Sequence, residues 1–329
     1  MKTDLISAQD PAALEAAVAC ISRGEIVALP TETVYGLAGD ALNPAAVAKI
    51  FEAKERPSFD PLIVHVGKER ERWLQRLADL DKHTLTLVQQ LLRRFWPGPL
   101  SILLRKRALV PDIVTAGLPQ VALRMPANHL FQAILERCDR PLAAPSANRF
   151  GKVSPTTAGH VLEELKGRIP LIIDAGPTTI GVESTIVRVH PDHIEVLRPG
   201  GVTHEELGQI APVIDSPRTA FVEAPGQTLS HYAPATPLYF ISREETVPQA
   251  DRSGLICWGP VRTGQPFALV QSLSEGFDLG EAAARLFCTL REMDKAGVDR
   301  IYVEPLPEEG LGRAIMNRLR RAASLNECE

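Results

Sequence analysis

The chain has 329 residues, 45% hydrophobic and 23% charged, a globular composition long enough for two domains rather than one core. Its formal net charge of −4 gives no general attraction to nucleic acid or anionic membrane, although a local basic surface is compatible with it. No run approaches the ~20 apolar residues of a spanning helix, and Asp4, Asp10, Glu15 and Glu25 near the start argue against a signal peptide.

Short aliphatic runs predict strands at 25–29, 62–66, 100–104, 121–124, 171–174, 184–189 and 193–197. Helix starts lie between them. Asp10-Pro11 and Asn43-Pro44 each offer an N-cap followed by proline at the first helical position. Ser154-Pro155 repeats the arrangement before a helix at 156–165, and Thr203 with Glu206 forms a capping box. This mixture predicts an α/β domain over residues 1–210. At 211–236 the periodicity stops and prolines 212, 217, 225 and 234 punctuate the chain, which reads as a linker or lid. Residues 237–329 resume with strands at 238–241, 255–258, 268–270 and 300–304 and helices at 279–295 and 311–323. That order predicts a small, open, Rossmann-like α/β sheet.

Five dispersed cysteines (Cys20, Cys138, Cys257, Cys288 and Cys328) form no CxxC pair, which points to reduced thiols in the cytosol and not to a zinc site. There is no GxxxxGK[ST] phosphate loop, no GxSxG elbow and no HExxH. His190-Pro-Asp-His193 reads as a hairpin turn.

The segments that do suggest chemistry are each ambiguous alone. Pro57 should end the helix from Pro44 and make the chain extended, so that Lys54 and Arg56 face one side with no acidic counterpart. That pair is either a phosphate site or a solvated helix end. Ser146 and Asn148 follow the run 142–144, and Ser154 opens the next helix start, which suits either an anion or ordinary capping. Arg124 closes a strand, where a guanidinium grips a carboxylate bidentately or makes a surface pair. Glu183-Ser184-Thr185 and Arg198 flank one hairpin, and Thr31 to Gly36 follows the first strong strand. His65 is a packed strand histidine or a ligand, and His231-Tyr232 lies in the linker as a docking contact or a lid.

The order of the motifs is more specific than any one of them. LPTETVYGL, KxRP, PLIVHV, FWPGPLS, VALRMP, PSAN, SPTT, DAG, ESTIV and LRPG, with a trailing HYAP and second α/β domain, resembles the YrdC-like family in its longer, two-domain form. The resemblance implies a twisted open α/β catalytic domain and threonylcarbamoyl-AMP synthase activity. Such enzymes combine L-threonine, bicarbonate and ATP into threonylcarbamoyl-adenylate and pyrophosphate, for threonylcarbamoyladenosine in tRNA. By the same resemblance Lys54, Arg56, Asp60, Ser146, Asn148, Ser154, Arg198 and Tyr232 would hold ATP, with Lys54 and Arg56 catalytic. Thr33, His65, Arg124, Ala144 and Ser184 would surround threonine, and Mg²⁺ would be held through the phosphates. The chain would be cytoplasmic and pass its product to a tRNA-modifying transferase, tRNA contact not being required for its own step. Asp60 departs from the asparagine of many relatives, Gln120 from a threonine, and Gln227-Thr228-Leu229 from the usual linker residues. A double-stranded RNA or tRNA-binding module and a carbamoyl transferase are the alternative readings.

Overall fold

Alternating aliphatic runs assemble two sheets in the computed structural model, which describes residues 1–217, 223–226, 232–242, 245, 250–261, 264 and 266–323. The first sheet is built from β1 (Asp4–Ser7), β2 (Val27–Leu29), β3 (Gly36–Asp40), β4 (Ile63–His65), β5 (Ala78–Asp79) and β6 (Leu100–Lys106). It continues with β7 (Gln120–Arg124), β8 (Leu142–Ala143), β9 (Leu171–Asp174), β10 (Thr185–Val189), β11 (Ile194–Arg198) and β12 (Val213–Asp215). The spatial order is β1-β9-β2-β3-β8-β4-β7-β6-β10-β11-β12, with β5 pairing β6 off this path. Pairing is mixed, parallel at β4 with β7 and at β6 with β10, antiparallel at β10 with β11.

Helices α1 (Ala13–Ser22), α2 (Pro44–Lys54), α3 (Arg70–Leu77), α4 (Leu85–Phe95), α5 (Asp112–Thr115), α6 (His129–Cys138), α7 (Ala158–Leu165) and α8 (His204–Gly208) join the strands. Their starts follow local chemistry. The Asn43 side chain accepts from the Ala45 and Ala46 N–H groups with Pro44 just inside α2, and Thr203 and Glu206 close the capping box on α8. Two expected starts move. Asp10 accepts the Ala12 N–H at 2.8 Å, a turn that delays α1 to Ala13. Ser154 gives its hydroxyl to Glu183, so α7 begins at Ala158 under a Thr157 cap.

The core lies on both faces of the sheet. On one face Val47, Trp73, Leu91 and Val161 bring α2, α3, α4 and α7 onto Val64, Ile102, Leu104 and Ile172. On the other, α1 and α6 cover Val27, Leu29, Leu142 and Ile173. Farther along that sheet Ile63, Leu103, Ala122, Ile186 and Leu197 form a small cluster whose non-strand member is Ala224. A concave surface opens there. β12, inside the range expected to be structureless, runs parallel to β11 with Ile194 opposite Val213. Pro212 and Pro217 bracket it, and only the pairing reveals it as a strand.

The second sheet has β13 (Leu238–Phe240), β14 (Ser253–Cys257), β15 (Leu269–Ser272) and β16 (Arg300–Val303), parallel throughout in the order β13-β16-β14-β15. Helices α9 (Leu279–Lys295) and α10 (Gly312–Ala323) bury Leu286, Phe287, Ile315 and Leu319 against Ile256, Ile301 and Val303. Val34, Val153 and Val182 of the first sheet's loops join this core, so apolar packing is continuous between the two units. Glycine at 181 is required for that approach, because a Cβ there would overlap the Ala283 carbonyl oxygen. Arg291 completes the junction by bonding the Val153 carbonyl and pairing with Glu164 at 3.3 Å.

Candidate active site

The concave surface between β4, β7, β10 and the linker residues Pro225, Gly226 and Tyr232 holds a cavity of about 480 Å³, counting its open mouth. Thr33, Arg56, His65, Arg124, Ala144, Ser146, Ser184, Arg198 and Tyr232 line it, so nine of the residues singled out in the sequence converge there. Glu183, Pro225 and Gly226 also face it.

Arg124 ends β7 beside His65 at the end of β4, the two being cross-strand partners. Its Nε donates to the Gly98 carbonyl at 3.1 Å and its Nη2 to Glu32 at 2.6 Å. Glu32 accepts the Ala127 N–H with its other oxygen. The guanidinium is therefore held on two edges while one side meets the cavity. Burial, and then the nearby Arg124 charge, push His65 down to about 3 from 6.5, so its ring is neutral at ordinary pH. Backbone hydrogen bonding at Leu142 and Ile63 opposes that shift without overcoming it. Thr33 is held by its 2.8 Å hydroxyl contact to Thr31, and the Ala144 N–H by the Ile63 carbonyl.

The cavity has two further cations, Arg198 and Arg56. Arg198 donates to the Ser184 carbonyl from Nε and Nη2 and to the Pro225 carbonyl from Nη1 at 3.1 Å, pinning the linker to β11. Ser184 also meets Ser101 at 2.9 Å. Arg56 donates to the Asp60 and Pro61 carbonyls at 3.0 and 2.7 Å. Here the sequence expectation is corrected. Glu55 takes a left-handed conformation, φ 54° and ψ 36°, so a C-cap and not an extended run brings Lys54 and Arg56 together. They also have an acidic counterpart, since Asp60 lies 2.9 Å from Arg56 and is fully buried. Burial pushes the Asp60 carboxyl above its ordinary value against the pull of Arg56, Lys54 and Arg198.

Lys54, Asp60, Asn148 and Ser154 stand behind the lining residues. The Lys54 ammonium bonds the Ser146 and Asn148 carbonyls at 2.6 and 2.5 Å, tying α2 to the loop after β8. Burial, with Arg56 next, draws its pKa well below that of an ordinary lysine. Asn148 donates to the Arg149 and Lys152 carbonyls, leaving its buried Oδ1 without a hydrogen-bond partner among the described residues. Of the N–H groups near Ser154, Thr156 N–H reaches the His160 ring and His160 N–H the Thr157 hydroxyl.

Sequence reasoning assigned no role to Glu32, Glu183 or Arg318. Glu183 accepts Ser154 Oγ at 2.5 Å and Arg318 Nε at 2.9 Å. Burial opposes its ionisation, but Arg318, Arg198 and Ser154 outweigh it and hold the carboxyl below the ordinary glutamate range. Tyr232 is 1% exposed with its ring stacked on Phe287 at 5.7 Å. Its neighbour His231 and Gln227-Thr228-Leu229 lie outside the described residues.

The cavity thus sets three buried guanidinium groups, Arg56, Arg124 and Arg198, against the single carboxylate Glu183 among its described lining residues. It suits a ligand with more than one anionic group. Residues 19–200 match the family described as Telomere recombination (Sua5, YciO, YrdC), and 202–324 match the Threonylcarbamoyl-AMP synthase, C-terminal domain. The Threonylcarbamoyl-AMP synthase of Pyrococcus abyssi is 40% identical over 322 residues, covering 92% of each chain. The Bacillus subtilis protein of the same name is 42% identical over 337 residues, covering 98% of this chain and 95% of its own. A crystal structure of P. abyssi Sua5 complexed with L-threonine matches with a TM-score of 0.85 at 37% identity, over 98% of both chains. The chain belongs to the Sua5/YciO/YrdC family, in the form that also carries the Threonylcarbamoyl-AMP synthase C-terminal domain.

Proposed function

We propose that this chain is an L-threonylcarbamoyl-adenylate synthase, joining L-threonine, bicarbonate and ATP and releasing pyrophosphate and water. The observation that carries the reading is the convergence of Arg56, Arg124 and Arg198 with neutral His65 on one cavity. Arg124 suits the threonine carboxylate, with Thr33, Ala144 and Ser184 around the side chain. Arg56 and Arg198 suit the phosphates, with Ser146, Asn148 and Ser154 shaping the nucleotide side and Tyr232 closing it. Lys54 acts through the 146–148 loop that it ties down.

The threonine amine condenses with bicarbonate to a carbamate, losing water. A carbamate oxygen then attacks the α-phosphorus and pyrophosphate leaves. No protein nucleophile is needed, so catalysis is orientation and neutralisation of charge. Glu183, already bonded to Ser154 and Arg318, is not a free carboxylate for a metal. Mg²⁺ would come with the phosphates of ATP and neutralise part of their charge. We assign the product to a tRNA-modifying transferase and the chain to the cytosol. No helix among the described residues is long and apolar enough to cross a membrane. The test is pyrophosphate release from ATP and Mg²⁺, with each co-substrate omitted in turn. Release that needs both threonine and bicarbonate is expected. ATP turnover indifferent to threonine, or salt-dependent tRNA binding with no turnover, overturns the reading.

A further inference from the structure

A guanidinium has N–H donors on Nε, Nη1 and Nη2, and a carboxylate gripped bidentately takes two parallel ones. In Arg124 two of these donors are already spent, Nε on the Gly98 carbonyl at 3.1 Å and Nη2 on Glu32 Oε1 at 2.6 Å. With the Nε hydrogen and one Nη2 hydrogen taken, the fork left among the described contacts is formed by Nη1 and Nη2. Arg124 lines the cavity, so that fork is what it offers to a ligand there.

Both acceptors are anchored to the same stretch of backbone. The Gly98 N–H donates to the Met125 carbonyl at 2.8 Å, and the Ala127 N–H to Glu32 Oε2 at 3.0 Å. Residues 125–127 directly follow β7, the strand that Arg124 ends, so the guanidinium and its two acceptors close one ring of contacts. Glu32 is fixed from its own side as well, its carbonyl accepting the Ile180 N–H at 2.9 Å and the Thr179 hydroxyl at 3.3 Å. Its side chain is 11% exposed and stands outside the cavity lining, so it acts on a ligand through Arg124. The pair differs from Arg56 and Asp60 in what remains when the carboxylate is removed. Arg56 keeps the Asp60 and Pro61 carbonyls, whereas Arg124 keeps the Gly98 carbonyl alone among its described partners and can turn about it.

We propose that Glu32 is a positioning residue for the amino-acid substrate, fixing which edge of Arg124 the substrate carboxylate meets. The carboxylate then has one bidentate seat, and that seat sets the direction in which the amine on the neighbouring carbon enters the cavity. The Glu32 charge is already met by Arg124 and the Ala127 N–H, so orientation outweighs its repulsion of an incoming carboxylate. This inference rests on the reading that the cavity takes L-threonine.

The test uses the full chain with Glu32→Gln and Glu32→Asp, assayed by pyrophosphate release well below their unfolding midpoints. Glutamine offers one acceptor oxygen where glutamate offers two, so either Arg124 or the Ala127 N–H loses its partner. Glu32→Gln should raise KM for L-threonine about tenfold while KM for ATP stays within about twofold. Glu32→Asp, which keeps both oxygens on a shorter stem, should recover part of the loss. L-threoninamide lacks the carboxylate, so its inhibition constant against L-threonine should move by less than about twofold in Glu32→Gln. A parallel loss for the amide would mean that the whole pocket has loosened, and a lower KM for L-threonine would make Glu32 a competing anion. Either result overturns the proposal, as does a lower midpoint with both KM values unchanged. If Glu32→Gln does not fold, Glu32→Asp decides it, and an unchanged KM for L-threonine refutes it. Wild-type protein without threonine-dependent pyrophosphate release overturns the functional reading and this inference together. Wild-type activity with unmoved variants overturns this inference alone.

Discussion

Gly181 has φ +81° and faces the backbone of α9. A Cβ at this position would overlap the Ala283 carbonyl oxygen and stand 2.8 Å from its carbonyl carbon, where ordinary contact begins at 3.4 Å. In Gly181→Ala the left-handed backbone costs about 1–2 kcal/mol. The overlap adds about 1–3 kcal/mol, because a helix buried at Ala282, Ala283 and Leu286 retreats only by opening its own packing. Gly176→Ala supplies the control. Its φ is +78° and a Cβ there meets nothing within 4 Å, so it carries the backbone strain without the overlap. Thermal unfolding of the two variants should therefore differ by something on the order of 5 °C, Gly181→Ala being the lower. The Gly181 N–H also bonds the Thr33 carbonyl at 3.2 Å, so the displacement reaches the cavity wall and activity should fall in Gly181→Ala but hold in Gly176→Ala. Equal midpoints for the two would refute the close docking of α9 on this loop.

Two further outcomes follow from buried charge. Asp60→Asn removes a carboxylate 2.9 Å from Arg56 while the Asp60 and Pro61 carbonyls still hold the guanidinium, so KM for ATP should drop about two- to fivefold. A rise in steady-state KM would instead make Asp60 a direct contact of the nucleotide or its metal. His65 is held at about 3 in the folded protein against 6.5 ordinarily, so between those values the unfolded chain binds the extra proton and stability falls as pH falls. Urea unfolding at about pH 7.5 and pH 5.5 should show the wild type losing about 1.4 kcal/mol more than His65→Gln, and parallel losses would remove His65 as the cause.

Strong local patterns in the chain announced most of the elements. Leu171–Asp174 and Leu279–Lys295 fall where aliphatic runs and helical periodicity put them. The elements that escaped are those whose stability comes from neighbours. Gly36–Asp40 reads GLAGD, with two glycines and little strand propensity, yet it is fully buried between β2 and β8. Asp4–Ser7 is a short edge strand with Leu5 facing solvent. At the site, Arg124 and Arg198 were legible because each closes a strand. Arg318 was not, because a helix ending in Arg320 and Arg321 looks like a solvated basic face. One signal was available. Ile315, Arg318 and Ala322 are spaced as one face of a helix, and a cation on such a face needs a buried anion. No local pattern could show that the anion is Glu183.

The ion pair between Glu183 and Arg318 spans 135 residues, which gives the site a schedule. At translation rates of ~5–20 residues per second, roughly 7–27 s separate the synthesis of the two partners. Within that interval β10, β11 with Arg198, and β12 are made and complete the first sheet, but the cation that settles the Glu183 carboxylate does not yet exist. The Tyr232 ring waits as well, since Phe287 and Arg318 both follow it. Assembly of this contact is therefore ordered by synthesis, and a chain halted before α10 carries the signature motifs while Glu183 lacks its Arg318 partner.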